Sequence, residues 1–379
     1  MKPTIFPNTE KIDFSKKLNV KFGIDPTSDK LHLGHLIPLL QAKKLWDEGH
    51  QVDIVLGTFT AQLGDPSGKD TMRPILTPEE TESNANSIID QIARIFGNPD
   101  STHKHFSNIK IHRNGDWFGV MSAIKMTNIL SKFTTTQLLA RDSFQKRIEN
   151  NNPIGMHELV VPVLQGFDSV VLETDVEIGG TDQLFNFAIT RDVQRAHNRE
   201  PEKCMLMPII NGTDGRKMSK SFGNCIFIND TPIDVFGKTM SISDDLMKEW
   251  WPIFSGSEFP TADVKGGDHP GDFHPMKLKK DLAWLITKEI WGHDKAREAQ
   301  EHFENTVQNN KLPEEMPVIF STHALNAVVS IRKCSVSEAK RLIKQGAVRV
   351  NDMKVDSEKM EVKKGDIIKV GKLDFAKVE

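Results

Sequence analysis

The stretch Val20-Lys21-Phe22-Gly23-Ile24, Asp25-Pro26-Thr27-Ser28-Asp29, Lys30-Leu31-His32-Leu33-Gly34-His35 decides the fold. Its first five residues form a short apolar run of strand character, and the next five favour a turn. Helical spacing then runs from about Leu31 to Asp47 and closes at Gly49. Gln51 to Phe59 reads as a second strand. Strand, helix and strand in this order make a βαβ unit, hence a parallel sheet with its ligand site at the carboxyl ends of the strands.

Outward from this unit, Gly57 through Gly68 is rich in glycine and small polar residues and suits close approach of a substrate to backbone. Residues 77 to 160 are mostly helical by periodicity, including Met121 to Arg147. Asp168 to Ile178 reads as a returning strand, and Gly179-Gly180-Thr181-Asp182-Gln183 opens another helix. Met205 to Ile210 is the next strand, followed by Lys217-Met218-Ser219-Lys220-Ser221. From Ile233 to about Phe320 the pattern is helical and charged, broken by a Gly-, Pro- and His-rich stretch from Ser255 to His274. In the last segment a short helix opening at Ser335 carries Lys340, Arg341 and Lys344 and ends at Gly346. Short β-like pieces follow around Val348, Val355 and Ile367 to Val370. Cations on one side of that helix suit an RNA backbone, although in isolation they read equally as a solvated charged face.

The expected fold is α/β: a parallel-sheet region over 1–232 that is mostly helical from about 77 to 160, then a helical region over 233–320 and a small α+β segment over 321–379. A length of 379 residues accommodates two or three domains. The formal net charge of -3 gives no global bias toward nucleic acid, so RNA affinity must come from local patches. Cys204, Cys225 and Cys334 form no CxxC pair, so neither a disulfide nor a metal framework is expected. No apolar run approaches the roughly 18 residues of a membrane span, and MKPTIFPNTEKIDF lacks a signal-peptide core; a cytoplasmic protein is expected. Tyrosine is absent, where average usage would supply on the order of ten.

The His-x-Gly-His and Lys-Met-Ser-Lys-Ser strings together point to adenylate formation from ATP. That chemistry places a carboxylate in line with the α-phosphate and neutralises charge developing on pyrophosphate. Thr27, His32 and His35 read as standing at or just inside a helix N-terminus, where free N–H groups and the dipole favour an anion. Lys217 and Lys220 lie on a glycine-flanked polar segment suited to closing over phosphates.

With these two motifs, the segments GDPSGK (Gly64 to Lys69), LQGFDS around Asp168, GGTDQ (Gly179 to Gln183) and GKTMSISDDLM (Gly237 to Met247) resemble the bacterial tyrosyl-tRNA synthetases, essentially end to end. The tail resembles the small RNA-binding domain shared with a ribosomal small-subunit protein. The resemblance implies a class I Rossmann-type catalytic domain over 1–232 with a connective insertion at about 77–160 that forms a homodimer interface, a helical anticodon-side domain over 233–320, and an RNA-binding domain over 321–379. It implies that L-tyrosine and ATP with Mg²⁺ give tyrosyl-adenylate and pyrophosphate, and that the acyl group then moves to the 3′ end of tRNA(Tyr). No tightly bound cofactor and no membrane are implied. Thr27, His32, Gly34, His35, Lys217, Ser219 and Lys220 are implied at the ATP phosphates and the transition state. Asp182 and Gln183 are implied at the ribose and substrate, Asp65 and Gln165 at the α-amino group, and Asp168 at the phenolic hydroxyl.

This chain departs from the family pattern at Val161 and Phe167, where tyrosine is usual, and at Thr58, where aspartate is frequent. Two explanations compete for the missing tyrosine: an enzyme translatable when charged tyrosine tRNA is scarce, or a pocket reshaped for another aromatic amino acid. Retained Asp168 and Gln165 favour the first. A non-catalytic RNA-binding paralogue and a nucleotidyl transferase for a small metabolite are the rivals from other classes. Intact phosphate motifs speak against the one, and the RNA-binding tail against the other.

Overall fold

The computed structural model describes residues 3–63, 76–97, 109–260, 275–308, 317–351, 353–355, 357–371 and 374–379. Asp65 and the Gly64 to Lys69 segment lie outside these described residues. The chain forms two compact units, one of residues 1–231 and 238–292, the other of 232–237 and 293–379.

The first unit is built on β1 (Thr4–Phe6), β2 (Asn19–Ile24), β3 (Gln51–Leu56), β4 (Ile109–Arg113), β5 (Val176–Gly180) and β6 (Lys203–Met207), in the spatial order β1-β6-β5-β2-β3-β4. Five strands run parallel, and β1 pairs antiparallel with β6 at the edge. β2 sits between β3 and β5, so the chain leaves it in opposite directions along the sheet. That reversal opens a crevice at the strand ends, as in Rossmann-type folds. Val20, Phe22 and Ile24 of β2 are buried. They lie beneath α1 (Leu33–Asp47), which packs on β2, β3 and β5 through a side including Leu33, Leu36 and Leu39.

The predicted βαβ unit is present, with its boundaries moved. The helix starts at Leu33 because His32, in an extended conformation, caps it. Thr27 therefore stands in the preceding loop, not at the helix end. β3 stops at Leu56, where the Thr58 N–H turns back to the Leu56 carbonyl and α2 (Thr60–Leu63) begins. The predicted strand from Asp168 to Ile178 is two elements, the end of α8 (Met156–Val171) and then β5. Leu159, Val163 and Phe167 recur at helical spacing and are buried, but the run Val170-Val171-Leu172 imitates a strand when read from Asp168 onward. β6 ends at Met207 instead of reaching Ile210, since Pro208 has no N–H for the ladder.

The stretch read as helical from 77 to 160 holds α3 (Pro78–Ile95), then α4 (Gly115–Phe118), α5 (Ala123–Leu130), α6 (Thr135–Leu139) and α7 (Asp142–Glu149). It also holds β4, paired in parallel register with β3 from Val52–Ile109 to Leu56–Arg113. A second core gathers Phe118, Ile129, Leu138 and Phe144 against Leu159, Val163 and Phe167 of α8 and Ile189 and Val193 of α9 (Leu184–Ala196). Gly166 sets the α8–α9 spacing, because a Cβ there would lie 2.9 Å from the Thr190 Cα. After β6 come α10 (Pro232–Met240), α11 (Asp244–Ser255) and α12 (Pro275–Trp291). α11 and α12 pair with each other, and α12 also meets α3.

The second unit contains α13 (His293–Phe303), whose Phe303 ring lies 5.5 Å from that of Phe236, and an α+β module. In that module β7 (Val318–Ile319), β8 (Val348–Val350), β9 (Met353–Lys354), β10 (Ile367–Val370) and β11 (Asp374–Val378) form a sheet ordered β7-β11-β10-β8-β9. α14 (Ala324–Arg332) and α15 (Val336–Lys344) close its core through Ala327, Val328, Ala339 and Ile343. No helix among the described residues is long and apolar enough to cross a membrane.

Candidate active site at the carboxyl ends of the parallel strands

The two signature motifs meet through backbone pairing. The Leu33 N–H donates to the Ile226 carbonyl at 3.1 Å and the Ile228 N–H to the Leu31 carbonyl at 2.9 Å. His32 thereby bridges Phe227, and the segment after the lysine-rich loop is fixed beside the start of α1. At that start the imidazoles cap the helix. The Gly34 N–H donates to His32 Nδ1 at 3.1 Å, and the His32 N–H lies 3.2 Å from His35 Nδ1. Gly34 leaves room for the capping ring, since a Cβ would lie 2.9 Å from His32 Cε1 and displace it. The rings stand 4.1 Å apart. Burial, reinforced by the nearby Lys220 ammonium, pushes His32 down to about 4. Burial, His32 and Lys220 hold His35 well below the usual imidazole range. Both rings are therefore neutral near pH 7, and with each Nδ1 accepting, each Nε2 carries the proton.

Lys220 reaches across 192 residues to donate to Ser28 Oγ at 2.6 Å, and Lys217 lies 3.3 Å from Asp182 Oδ2. Asn224, buried beneath the loop, holds it in shape. It accepts from the Ser219 N–H at 2.9 Å and donates to Asp214 Oδ1 at 2.7 Å and to the Lys217 carbonyl at 3.2 Å. Those bonds from Asn224 and Arg216 draw the Asp214 carboxyl down to about 2. Met218 is buried, while Lys217 is exposed. The Ser219 hydroxyl meets that of Ser221 at 2.8 Å.

A polar chain runs inward from the same strand ends. Thr60 donates to Asp25 Oδ1 at 2.8 Å, Asn114 Nδ2 to Thr60 Oγ1 at 3.1 Å and to Asp168 Oδ2 at 3.3 Å, and Trp117 Nε1 to Asp168 Oδ1 at 2.9 Å. Asn114 is fully enclosed. Burial raises Asp168 to about 7 against the opposing pull of Lys21, Trp117 and Asn114, with Asp25 adding to the rise. Gly57 admits the Asp25 carboxylate, whose Oδ1 would lie 1.9 Å from a Cβ there.

Beside this chain, Asn186 Nδ2 donates to Gln165 Oε1 and to Gln183 Oε1, each at 2.8 Å. Gln165 and Asp168 come from α8, and Asp182 and Gln183 from the β5–α9 junction, where Asn186 ties Gln165 to Gln183 and Lys217 reaches Asp182. Thr27 is half-buried in the loop between β2 and α1, with its N–H on the Asp25 carbonyl at 2.7 Å. Thr58 accepts from the Gly115 N–H at 3.1 Å. Phe167 packs between the Phe118 and His197 rings at 6.1 and 5.4 Å, and Val161 is fully buried. No three His, Cys, Asp or Glu residues come together as metal ligands among the described residues.

Lys340, Arg341 and Lys344 lie exposed on α15 of the second unit. Lys340 pairs with Glu358 at 2.8 Å and Arg341 with Glu338 at 2.5 Å.

The sequence reading passes over Asn114 and Trp117, because the residues before them lie in a stretch whose periodicity is mostly helical. Ile109 and Ile111, alternating ahead of the polar turn Asn114-Gly115-Asp116, were the available signal. Asn186, Asn224 and Lys21 carried none, since their partners are remote in the chain.

The family described as tRNA synthetases class I (W and Y) matches residues 14–308, and the S4 domain matches 325–368. A tyrosine–tRNA ligase of Dehalococcoides mccartyi (strain CBDB1) is 38% identical over 370 residues, covering 96% of this chain and 91% of the relative. One from Thermotoga maritima is 38% identical over 379 residues, covering 97% and 92%. The crystal structure of a C-terminally truncated mitochondrial tyrosyl-tRNA synthetase from Aspergillus nidulans shares the fold. It has a TM-score of 0.61 at 18% identity, over 76% of this chain and 86% of the other. On its strand topology, its two joined motifs and these likenesses, the chain belongs to the class I tyrosyl-tRNA synthetase family, with a C-terminal S4 domain.

Proposed function

We propose that the protein activates L-tyrosine with ATP and transfers the tyrosyl group to the 3′ end of tRNA(Tyr). The observation that carries this reading is the pairing of 226–228 with 31–33, which puts Lys220 beside His32 and His35. A tyrosine carboxylate oxygen attacks the α-phosphorus of ATP, the bond to the bridging oxygen breaks, and pyrophosphate leaves with the electron pair. Two neutral imidazole Nε2–H donors, Lys217, Lys220 and the Ser219 hydroxyl suit the growing phosphate charge, with Gly34 leaving room for the His32 ring beside it. Magnesium enters with ATP as part of that substrate. Thr27 lies on the approach to the same phosphates, and Asp182 and Gln183 suit the ribose and the bound substrate. Gln165, with Asp65, serves the amino group, and Asp168 accepts from the phenolic hydroxyl. A carboxylate left unpaired by phenylalanine is costly, which makes Asp168 the specificity residue.

In this reading residues 1–232 are catalytic, 77–160 the insertion, 233–320 the anticodon-side region and 321–379 the RNA-binding domain. Homodimerisation is supported by the insertion's apolar surface: Val120 is 85% exposed, Ile124 74%, and Met156, just beyond the loop that follows α7, 75%. The protein works in the cytoplasm. The absence of tyrosine lets it be made when charged tyrosine tRNA is scarce.

The test is amino-acid-dependent ATP–pyrophosphate exchange with tyrosine, phenylalanine and meta-tyrosine. Strong preference for tyrosine is expected. Preference for another amino acid means a reshaped pocket, and no exchange means a non-catalytic RNA-binding protein.

A further inference from the structure

Lys21 lies in the middle of β2 with 2% of its surface exposed, the one charged residue in the run from Val20 to Ile24. Its ammonium donates to Ser169 Oγ at 2.6 Å, to the Gln165 carbonyl at 3.1 Å and to Glu177 Oε1 at 2.9 Å. These three acceptors account for its three protons. Gln165 and Ser169 span the single turn of α8 that carries Asp168, so one cation braces both proposed amino-acid contacts from beneath.

A buried ammonium is expensive unless paired. Glu177 supplies one pair, and burial next to Glu177 drives Glu202 well above the usual carboxylate range. The remaining negative group within the cation's field is Asp168. Around Asp168 stand Lys21 and Asp25 from β2 and its loop, with the neutral donors Asn114 and Trp117 from the β4–α4 junction. Glu177 of β5 and Glu202 ahead of β6 lie behind Lys21 and Ser169. On α9, Arg191 turns away to Glu10 and the Glu202 carbonyl.

Resting on the proposed tyrosine-activating reading, we propose that Lys21 is a positioning residue that keeps Asp168 available as an ionised acceptor for the substrate phenol while fixing the α8 turn. With the cation in place Asp168 sits at about 7 and is about half ionised at neutral pH; without it burial carries the carboxyl further up, so the ionised acceptor becomes the minor form and the site penalises less an amino acid that lacks the hydroxyl.

The test is Lys21→Met in the full-length protein, followed by ATP–pyrophosphate exchange from about pH 6 to 9. Expected is a tyrosine KM raised about fivefold near pH 7 and approaching about tenfold at pH 6, the effect of about one pKa unit on Asp168, shrinking as pH rises. Preference for tyrosine over phenylalanine falls in parallel, with the KM for ATP unchanged. A tyrosine KM that is unaltered, or raised equally at every pH, overturns the proposal. If Glu177 left alone prevents folding, Lys21→Met with Glu177→Gln removes the pair together and carries the same pH test. Wild-type protein that shows no tyrosine-dependent exchange overturns the underlying activity instead.

Discussion

The Trp117 indole N–H donates to Asp168 Oδ1 at 2.9 Å, from a helical turn that opens directly after β4. A charge-assisted bond to a buried carboxylate contributes about 1.5–3 kcal/mol. Trp117→Phe should therefore lower kcat/KM for tyrosine by roughly 10- to 100-fold near pH 7. The carboxyl already sits at about 7, and losing a donor moves it higher, so activity should return at alkaline pH. Exchange kinetics across pH, with the KM for ATP as control, check this.

His32 should titrate near 4 and His35 also far below an ordinary imidazole. Their folded values are depressed, so the associated stability is fully present above about 6.5 and is lost as pH falls toward 4. Histidine Cε1 NMR titration, assigned with His32→Gln, measures the midpoint. A midpoint near 6.5 would refute the burial argument, as would an imidazole-like acid limb in the exchange rate.

Asn224→Ala should slow adenylate formation by roughly 10- to 100-fold, the effect of about 1.4 to 2.7 kcal/mol in the loop that presents Lys217 and Lys220, with the KM for tyrosine little changed. Gly212→Ala should act in the same direction. Its methyl would sit 2.3 Å from Asn224 Cγ and 2.6 Å from the Asn224 carbonyl oxygen. Single-turnover kinetics separate this step from binding.

Replacing Lys340, Arg341 and Lys344 together with alanine should weaken tRNA charging and leave pyrophosphate exchange intact. Their ion pairs with Glu358 and Glu338 are exposed and contribute about 0–1 kcal/mol each, so they yield readily to phosphates. The slope of log affinity against log salt should flatten by up to about 0.7–0.9 per contact removed. Unchanged tRNA affinity and salt slope would remove α15 from the RNA interface.

Glycine and proline placement, the Asp25 to Asp29 turn and the Leu31 to Asp47 spacing announced β2, α1 and β3, because they act between near neighbours. Where a pattern was shared by two structures, the reading slipped. The valines after Asp168 suit a strand as well as the last turn of α8, and β4 hid among helices because five residues carry little period.

The parallel α/β class, the His-x-Gly-His and Lys-Met-Ser-Lys-Ser strings and the α+β tail are legible in the chain itself, because they rest on local periodicity and on residue types at short spacing. The tertiary structure alone decided what surrounds Asp168 and what shapes the lysine loop. Trp117 lies 51 residues from Asp168, and Lys21 148 from Ser169. Such bonds exist only once the sheet has set its strand order. Burial then turns an ordinary carboxyl into one near 7 and two ordinary imidazoles into neutral donors, since removal from water penalises the charged form of each.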